Sequence, residues 1–175
     1  MAAAGPVPRA SADAAIGGAA LKVDRQTGLS GLLPDEAIVL TGTARTRDEA
    51  ITEAGNLLVA SGAVDEAYIA AMHDREKSIS TYVGNGLAIP HGTNEAKQSI
   101  HRTGLSFIRY PEGIDWNGDG QLAHFAVGIA GAGDDHLALL GSIAHVFLDD
   151  EKVAALAAAQ DKADVAAVLD SVTLT

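Results

Sequence analysis

Apolar residues recur at helical spacing in the first half of the chain. From Ala50 to Leu58 they return every three or four positions, which predicts a helix that begins after Thr46 and ends at Gly62. Thr46 and Glu49 have the spacing of a capping box, in which the hydroxyl accepts from the amide of Glu49 and the carboxylate reaches back. A second helix is predicted to start at a cap on Asp65 and to end near Lys77, with three side chains on one face: Tyr68, Ile69 and Met72.

Short apolar runs between turn-forming residues predict four strands. These runs are Ala37–Leu40, Leu87–Ile89, Gly104–Tyr110 and Leu122–Ala130. The residues 111–113, Pro-Glu-Gly, are expected to turn the chain after the third run. The residues 117–120, Asn-Gly-Asp-Gly, predict the hairpin turn that leads into the last strand.

The C-terminal third is predicted to be helical. A helix begins after Asp134-Asp135 and runs to about Asp149, with a core face predicted at Leu137, Leu140, Ala144 and Phe147. Two further short helices are predicted over Glu151–Ala159 and Asp164–Val172. The whole pattern predicts an α/β domain whose sheet is covered by helices.

The first thirty residues have a different composition, rich in Ala, Gly, Pro and Ser. We expect residues 1–30 to be a flexible low-complexity tail and residues 31–175 to be one domain. The tail lacks a basic segment that leads into an apolar one, so it is not expected to be a signal peptide.

Composition and charge exclude several functions. The net charge of −11 argues against nucleic-acid binding and against binding to an anionic membrane surface. The chain has no cysteine, which excludes disulfides and thiolate chemistry. No apolar run is long enough to predict a membrane span, and no nucleotide-binding or serine-hydrolase motif is present.

Two of the six histidines are candidates for chemistry near neutral pH. His91 lies between Pro90 and Gly92, where we expect an exposed turn; the alternative is that it merely ends a strand. His136 follows a glycine-rich turn at a predicted helix start, where the helix potential favours a neutral ring. The alternative is that Asp134 and Asp135 cap the helix and His136 is a solvated residue of its first turn. His91 has no His, Asp or Glu partner at the spacing typical of metal ligands, so a metal site is not predicted there.

The other four histidines are given structural or solvent-exposed roles. His73 is expected to be solvated or to cap the end of its helix, and His101 to be exposed in a loop. His124 is expected to be partly buried and hydrogen-bonded within its strand. His145 lies nine positions after His136, which places the two on opposite faces of one helix.

Several stretches resemble the enzyme IIA domains of the mannitol/fructose class, which belong to the phosphoenolpyruvate-dependent sugar phosphotransferase system. The stretch "HDREKSISTYVGNGLAIPHGTNEAK" (His73–Lys97) is similar to the phosphorylation-site region of those domains. "TRDEAITEAGNLLVASGAV" resembles the helix before it, and "YPEGIDW" and "VGIAGAGDDHLALLGSIAHVF" resemble the later part, with the spacing of the mannitol branch. The resemblance covers about Leu32 to Leu169 and implies a single domain with a small mixed sheet flanked by helices.

The resemblance also implies a function and its residues. His91 matches the phosphorylated histidine, His136 the second active-site histidine, and Arg75 an arginine near the site. Asn85 stands where mannitol proteins often carry an acidic residue. The implied activity is that of a cytoplasmic phosphotransferase without a cofactor. It accepts phosphate from the histidine-containing phosphocarrier protein, passes it to a cysteine of enzyme IIB, and serves the membrane IIC permease indirectly.

Three other functions are compatible with the same motif. One is a fructose-specific enzyme IIA, and another is a nitrogen-type enzyme IIA that regulates targets by binding them. The third is a fragment of a phosphohistidine-dependent transcriptional regulator, although no DNA-binding segment is present. The "YPEGIDW" segment favours sugar transport.

Overall fold

A five-stranded mixed sheet forms the centre of the computed structural model, which describes residues 29–171. Its strands lie in the order β1-β4-β5-β3-β2. The pairs β4–β5 and β2–β3 are antiparallel, whereas β1–β4 and β3–β5 are parallel, which confirms the predicted mixed sheet. The strands are β1 (Ile38–Val39), β2 (Tyr82–Gly84), β3 (Leu87–Ala88), β4 (Gly104–Asp115) and β5 (Leu122–Ala130).

Five α-helices surround the sheet in the described part of the chain. They are α1 (Arg47–Ala60), α2 (Ala67–Ser78), α3 (Asp135–Val146), α4 (Asp150–Ala158) and α5 (Lys162–Asp170). Three 3₁₀ helices add to them: Leu29–Leu32, Asp35–Ala37 and Asn94–Ser99. Thr46 caps α1 as predicted, with its hydroxyl accepting from the amide of Glu49 at 3.2 Å. The Glu49 carboxylate reaches back one residue further than predicted, to the amide of Arg45 at 2.9 Å.

Both faces of the sheet are buried, because helices cover each of them. On one face, α3, α4 and α5 pack against alternate residues of the strands, such as Phe107, Phe125 and Val127. On the other face, α1 and α2 pack on their neighbours Ile108 and Ala126. This alternation follows from the two-residue period of a strand. No helix within residues 29–171 combines the length and hydrophobicity that a membrane crossing requires.

The predicted turn at residues 111–113 is wrong. Strand β4 continues through this segment to Asp115, and the segment forms a bulge where the β4–β5 register shifts between Arg109 and Ile114. A bulge accommodates Pro111 because the hydrogen-bond ladder is interrupted there. Proline has no amide N–H, and at this position no ladder bond requires one. The chain reverses only at residues 117–120, as predicted.

The predicted core face of α3 is only partly right, because Phe147 is buried as predicted, Leu140 and Ala144 are half-buried, and Leu137 is exposed. Leu137 is 74% exposed, and the buried face is instead formed by Leu139, Ser142, Ile143 and Val146. The sequence of α3 is apolar on almost every side, so helical spacing alone fits more than one face. As a result Leu137 lies on the surface, next in sequence to His136.

The last two residues of the predicted tail, residues 29 and 30, are part of the packed structure. Leu29 is fully buried, and the 3₁₀ helix at Leu29–Leu32 contacts α5. The hydroxyl of Ser30 donates to the Asp170 carboxylate. The rest of the predicted tail, residues 1–28, lies outside the described residues.

Candidate active site

His91 lies just beyond β3, where the chain still runs alongside β5. The amide of Ile129 donates to the carbonyl of Pro90 at 2.9 Å, and His91 forms a single parallel bridge with Ile129. The His91 side chain is only 5% exposed. The prediction of an exposed turn is therefore wrong, because this backbone belongs to the sheet and not to a surface loop.

One hydrogen bond fixes the tautomer of His91. Its Nδ1 lies 2.7 Å from the carbonyl oxygen of Ile89, and a carbonyl can only accept, so Nδ1 carries the proton. Nε2 then holds a free lone pair. No side-chain nitrogen or oxygen in the described chain is both buried and without a hydrogen-bond partner, so the unbonded Nε2 reaches solvent. His91 thus presents one nucleophilic atom at the surface while its ring is buried.

Burial also keeps this ring neutral. It lowers the pKa of His91 because the charged imidazolium loses its hydration, and the positive charge of Arg75 lowers it further. The bond to Ile89 and the negative charge of Glu76 oppose these effects without reversing them. At neutral pH the ring is therefore in the form that can attack an electrophile.

Tyr68, which sequence analysis placed only on an apolar helix face, holds the backbone after His91. Its hydroxyl accepts from the amide of Gly92 at 2.9 Å and donates to the carbonyl of Ile129 at 2.9 Å. A Cβ atom on Gly92 would lie 2.5 Å from the Tyr68 ring, so only glycine allows this approach. A tyrosine on the buried face of a helix needs a partner for its hydroxyl, and this is the sequence signal that could have identified Tyr68.

His136 faces His91 from the first turn of α3. The two ring centroids are 5.0 Å apart and the ring planes are inclined by 58°. The pKa of His136 is lowered to about 4, mainly by partial burial. Repulsion from His91, once that ring is protonated at low pH, and the positive charges of Lys97 and Arg75 contribute to this lowering. The neutral ring predicted from the helix start is thus present, although burial contributes most. His145, on the opposite face of α3, is exposed.

The loop before His136 is held by three contacts. Thr103 donates its hydroxyl proton to the Asp135 carboxylate at 2.9 Å and accepts from the amide of Ala132 at 2.9 Å. Lys97 donates to the carbonyl of Gly133 at 2.8 Å. Asp134 occupies the N-cap position but makes no capping bond through its side chain, and the Asp135 carboxylate accepts from Thr103.

Arg75 lies in the last turn of α2 and completes the group. Its guanidinium donates to the carbonyl of Ile79 at 2.7 Å, and its charge acts on the pKa of both His91 and His136. The structure thus places His136 beside His91, and Arg75, which the resemblance singled out, acts on both rings through its charge. Asn85 is directed elsewhere, since its side-chain amide donates to the carbonyl of Phe147 at 2.7 Å.

The remaining histidines lie outside this group. His124 is partly buried and bonds the carbonyl of Tyr110 at 3.2 Å, and His101 is exposed, both as predicted. His73 differs from the prediction. Its Nε2 is hydrogen-bonded at 2.8 Å to the hydroxyl of Thr52 on α1, so the ring neither caps its own helix nor is freely solvated. Among residues 29–171 no three His, Asp or Glu side chains are grouped closely enough to hold a metal ion.

The arrangement suits the transfer of an anionic group. A neutral imidazole offers one lone pair, a second neutral imidazole lies beside it, and two cationic side chains supply positive potential. Donors placed in advance around a developing negative charge stabilise it without reorganisation.

Comparisons with known proteins agree on one family. Residues 31–172 match the family model described as "Phosphoenolpyruvate-dependent sugar phosphotransferase system, EIIA 2". A mannitol-specific phosphotransferase enzyme IIA component of Staphylococcus aureus is 44% identical over 142 residues, which cover 81% of this chain and 97% of that protein. The crystal structure of IIA mannitol from Escherichia coli has a TM-score of 0.73 and 36% identity, covering 78% of this chain and 97% of that one.

The chain is also similar to a second solved structure, which is a complex of two proteins. The complex of enzyme IIAMTL and phosphorylated enzyme IIBMTL from Escherichia coli matches with a TM-score of 0.75 and 35% identity, over 80% of this chain and 99% of that one.

Proposed function

The chain belongs to the EIIA 2 family of the phosphoenolpyruvate-dependent sugar phosphotransferase system, and on that premise we propose that it carries phosphoryl groups for mannitol uptake. It accepts the group on Nε2 of His91 from the histidine-containing phosphocarrier protein. It then passes the group to a cysteine of enzyme IIB, which serves the membrane IIC permease. The observation that carries the proposal is a neutral His91 whose only free nitrogen reaches solvent.

The transfer needs positioning and charge stabilisation more than covalent assistance. The lone pair of Nε2 attacks phosphorus as the bond between phosphorus and the donor's histidine nitrogen breaks, and that nitrogen keeps the electron pair. In the second step a IIB thiolate attacks the same phosphorus, and His91 leaves as the neutral ring. His91 needs no proton change at Nδ1 in either step, because Nδ1 keeps its proton and donates it in the hydrogen bond to the Ile89 carbonyl throughout.

His136 and Arg75 are assigned to the phosphoryl group. His136 is neutral and can donate one N–H to a phosphoryl oxygen, while Arg75 supplies a full positive charge. Because the group must leave again, the most useful contacts are those that strengthen in the transition state.

The relatives support mannitol over the regulatory alternative. The mannitol protein of Staphylococcus aureus is 44% identical to this chain, whereas the nitrogen regulatory protein IIA-Ntr from Neisseria meningitidis is 26% identical. The complex of enzyme IIAMTL with phosphorylated enzyme IIBMTL supports enzyme IIB as the acceptor.

Reconstitution tests the proposal. With phosphoenolpyruvate, enzyme I and the phosphocarrier, the chain should acquire one acid-labile phosphoryl group and pass it to a mannitol IIB domain. His91→Ala should acquire none, while His145→Ala, which changes an exposed histidine, should be labelled fully. Labelling of His91→Ala would refute the assignment, and failure to label any IIB domain would favour the regulatory function.

A further inference from the structure

Glu76 is a buried carboxylate that makes no contact with the transferred group in the mechanism above, where it only opposes the lowering of the His91 pKa. It is 6% exposed, and no other aspartate or glutamate of residues 29–171 is buried. Removing a carboxylate from water is costly unless hydrogen bonds replace its hydration. Here three neutral donors do so: the amide of Thr81 at 3.0 Å, the hydroxyl of Thr81 at 2.5 Å and the indole N–H of Trp116 at 3.0 Å.

These bonds join two sequence motifs that the mechanism leaves separate. Glu76 follows Arg75 in the "DRE" stretch at the end of α2, and Trp116 ends the "YPEGIDW" stretch just after β4. Both Trp116 and the Thr81 amide donate to the same oxygen, Oε2. The carboxylate therefore fixes the position of Thr81 relative to the end of β4.

A continuous path of hydrogen bonds leads from Thr81 to the reactive ring. The amide of Ile89 donates to the carbonyl of Thr81 at 3.0 Å. The carbonyl of Ile89 in turn accepts the proton of His91 Nδ1 at 2.7 Å. At Thr81 and at Ile89 the path enters through the N–H and leaves through the C=O, and these two groups belong to different peptide units. The path can therefore transmit a change of position but does not carry a proton or a charge.

We infer that Glu76 is a positioning residue for His91. By holding Thr81 it places the Ile89 carbonyl, which sets both the orientation of the imidazole and the nitrogen that carries the proton. Pro90 has no amide to donate on the Thr81 side, while its carbonyl accepts from the amide of Ile129 on the opposite side of the strand. The inference rests on the proposed role of His91 as phosphoryl acceptor.

Two substitutions of Glu76 separate position from charge. Glu76→Leu fills the space but removes both acceptors, and it should slow phosphoryl acceptance roughly ten- to hundredfold, as expected for a misplaced reacting group. Glu76→Gln should restore most of the rate. Its carbonyl can accept from Thr81 and Trp116, and its amide can donate to the Thr81 hydroxyl.

A spectroscopic readout distinguishes positioning from stability alone. Nitrogen-15 spectra should show His91 protonated at Nδ1 in the wild type and in Glu76→Gln, and a mixture of tautomers in Glu76→Leu. The matched control is Glu53→Leu, which removes a carboxylate that accepts from Tyr110 and from the backbone of Thr43 and Ala44. It should lower the melting temperature without changing the His91 tautomer or the rate.

A milder variant covers the case in which Glu76→Leu does not fold. Trp116→Phe keeps an aromatic ring but removes one donor, and it should slow acceptance roughly two- to tenfold.

Four results would overturn the inference. The first is an unchanged rate and tautomer in folded Glu76→Leu, and the second is a loss of rate in Glu76→Gln as large as that in Glu76→Leu. The third is a loss of rate in Glu53→Leu as large as that in Glu76→Leu. The fourth, where Glu76→Leu does not fold, is an unchanged rate in Trp116→Phe. If wild-type His91 takes no phosphoryl group, the proposed function fails instead, and the tautomer comparison still tests Glu76.

Discussion

The two histidines of the site are held with unequal firmness. The His91 segment is fixed by buried hydrogen bonds to Ile89 and, through Gly92, to Tyr68. The His136 loop is held by the buried Thr103 and also by Lys97, an exposed side chain, so one of its side-chain ties is open to solvent. Buried bonds resist local opening more than exposed ones do. The difference indicates a fixed acceptor atom and a second ring that can adjust as a phosphoryl group arrives.

The largest effect should come from removing the adjustable ring. His136→Ala should slow transfer between His91 and enzyme IIB roughly ten- to hundredfold, because one charge-assisted hydrogen bond in the transition state is lost. Its melting temperature should change little, since the ring is only partly buried. His145→Ala, on the opposite face of α3, is the control and should transfer at the wild-type rate. Equal rates in the two variants would remove His136 from the site.

Loosening the fixed segment should cost stability as well as rate. Tyr68→Phe strands the buried amide of Gly92 and the carbonyl of Ile129, which should lower the free energy of unfolding by about 1–3 kcal/mol. Because that amide follows His91, transfer should also slow roughly tenfold.

Tyr110→Phe is the matched control for this loss. Tyr110 is equally buried and donates to Glu53 at 2.7 Å, away from His91. Denaturant unfolding should show that it is destabilised, and kinetics should show no loss of rate. Similar slowing in both variants would mean that Tyr68 acts through general stability and does not position His91.

The pH dependence of stability should report the burial of His136. Its pKa falls from 6.5 to about 4 on folding, so the unfolded chain binds more protons within this range. Stability from this group is therefore complete above 6.5 and is lost as the pH falls toward 4. Denaturant unfolding between pH 7 and about pH 5 should show a smaller loss in His136→Ala than in the wild type. An equal loss in both proteins would contradict the lowered pKa.

Sequence patterns predicted the elements where one periodicity was unambiguous. Strand β5 runs from Leu122 to Ala130 as predicted, and Thr46 caps α1. The hairpin formed by β2 and β3 was missed, although Asn85-Gly86 is a pair typical of a two-residue hairpin turn. Asn85 has a φ of 53°, as that turn requires.

The site was predicted only as far as local sequence reaches. The resemblance singled out His91, His136 and Arg75, and the structure places the two rings 5.0 Å apart, with the charge of Arg75 acting on both. The burial of His91 could not be predicted, because it depends on the pairing of Pro90 with Ile129, which is distant in sequence. Tyr68 was missed for the same reason, since Gly92 and Ile129 are distant in sequence. For Glu76 only the partner Trp116 is distant, and the local contact with Thr81 carries no sequence pattern of its own.

The smallest effect should come from Lys97, the exposed tie of the His136 loop. Lys97→Gln removes a positive charge that lowers the pKa of His136, so this pKa should rise from about 4 toward its ordinary value while burial still holds it low. Loss of the bond to Gly133 should also let the loop move, and transfer should slow roughly twofold to fivefold, since the bond is exposed. Lys77→Gln, which changes another exposed lysine that pairs with Asp74, should alter neither quantity. An NMR titration that finds the His136 pKa unchanged in Lys97→Gln would show that the lysine does not act on the ring. A rate loss as large as that of His136→Ala would show that the loop is as rigidly required as the His91 segment.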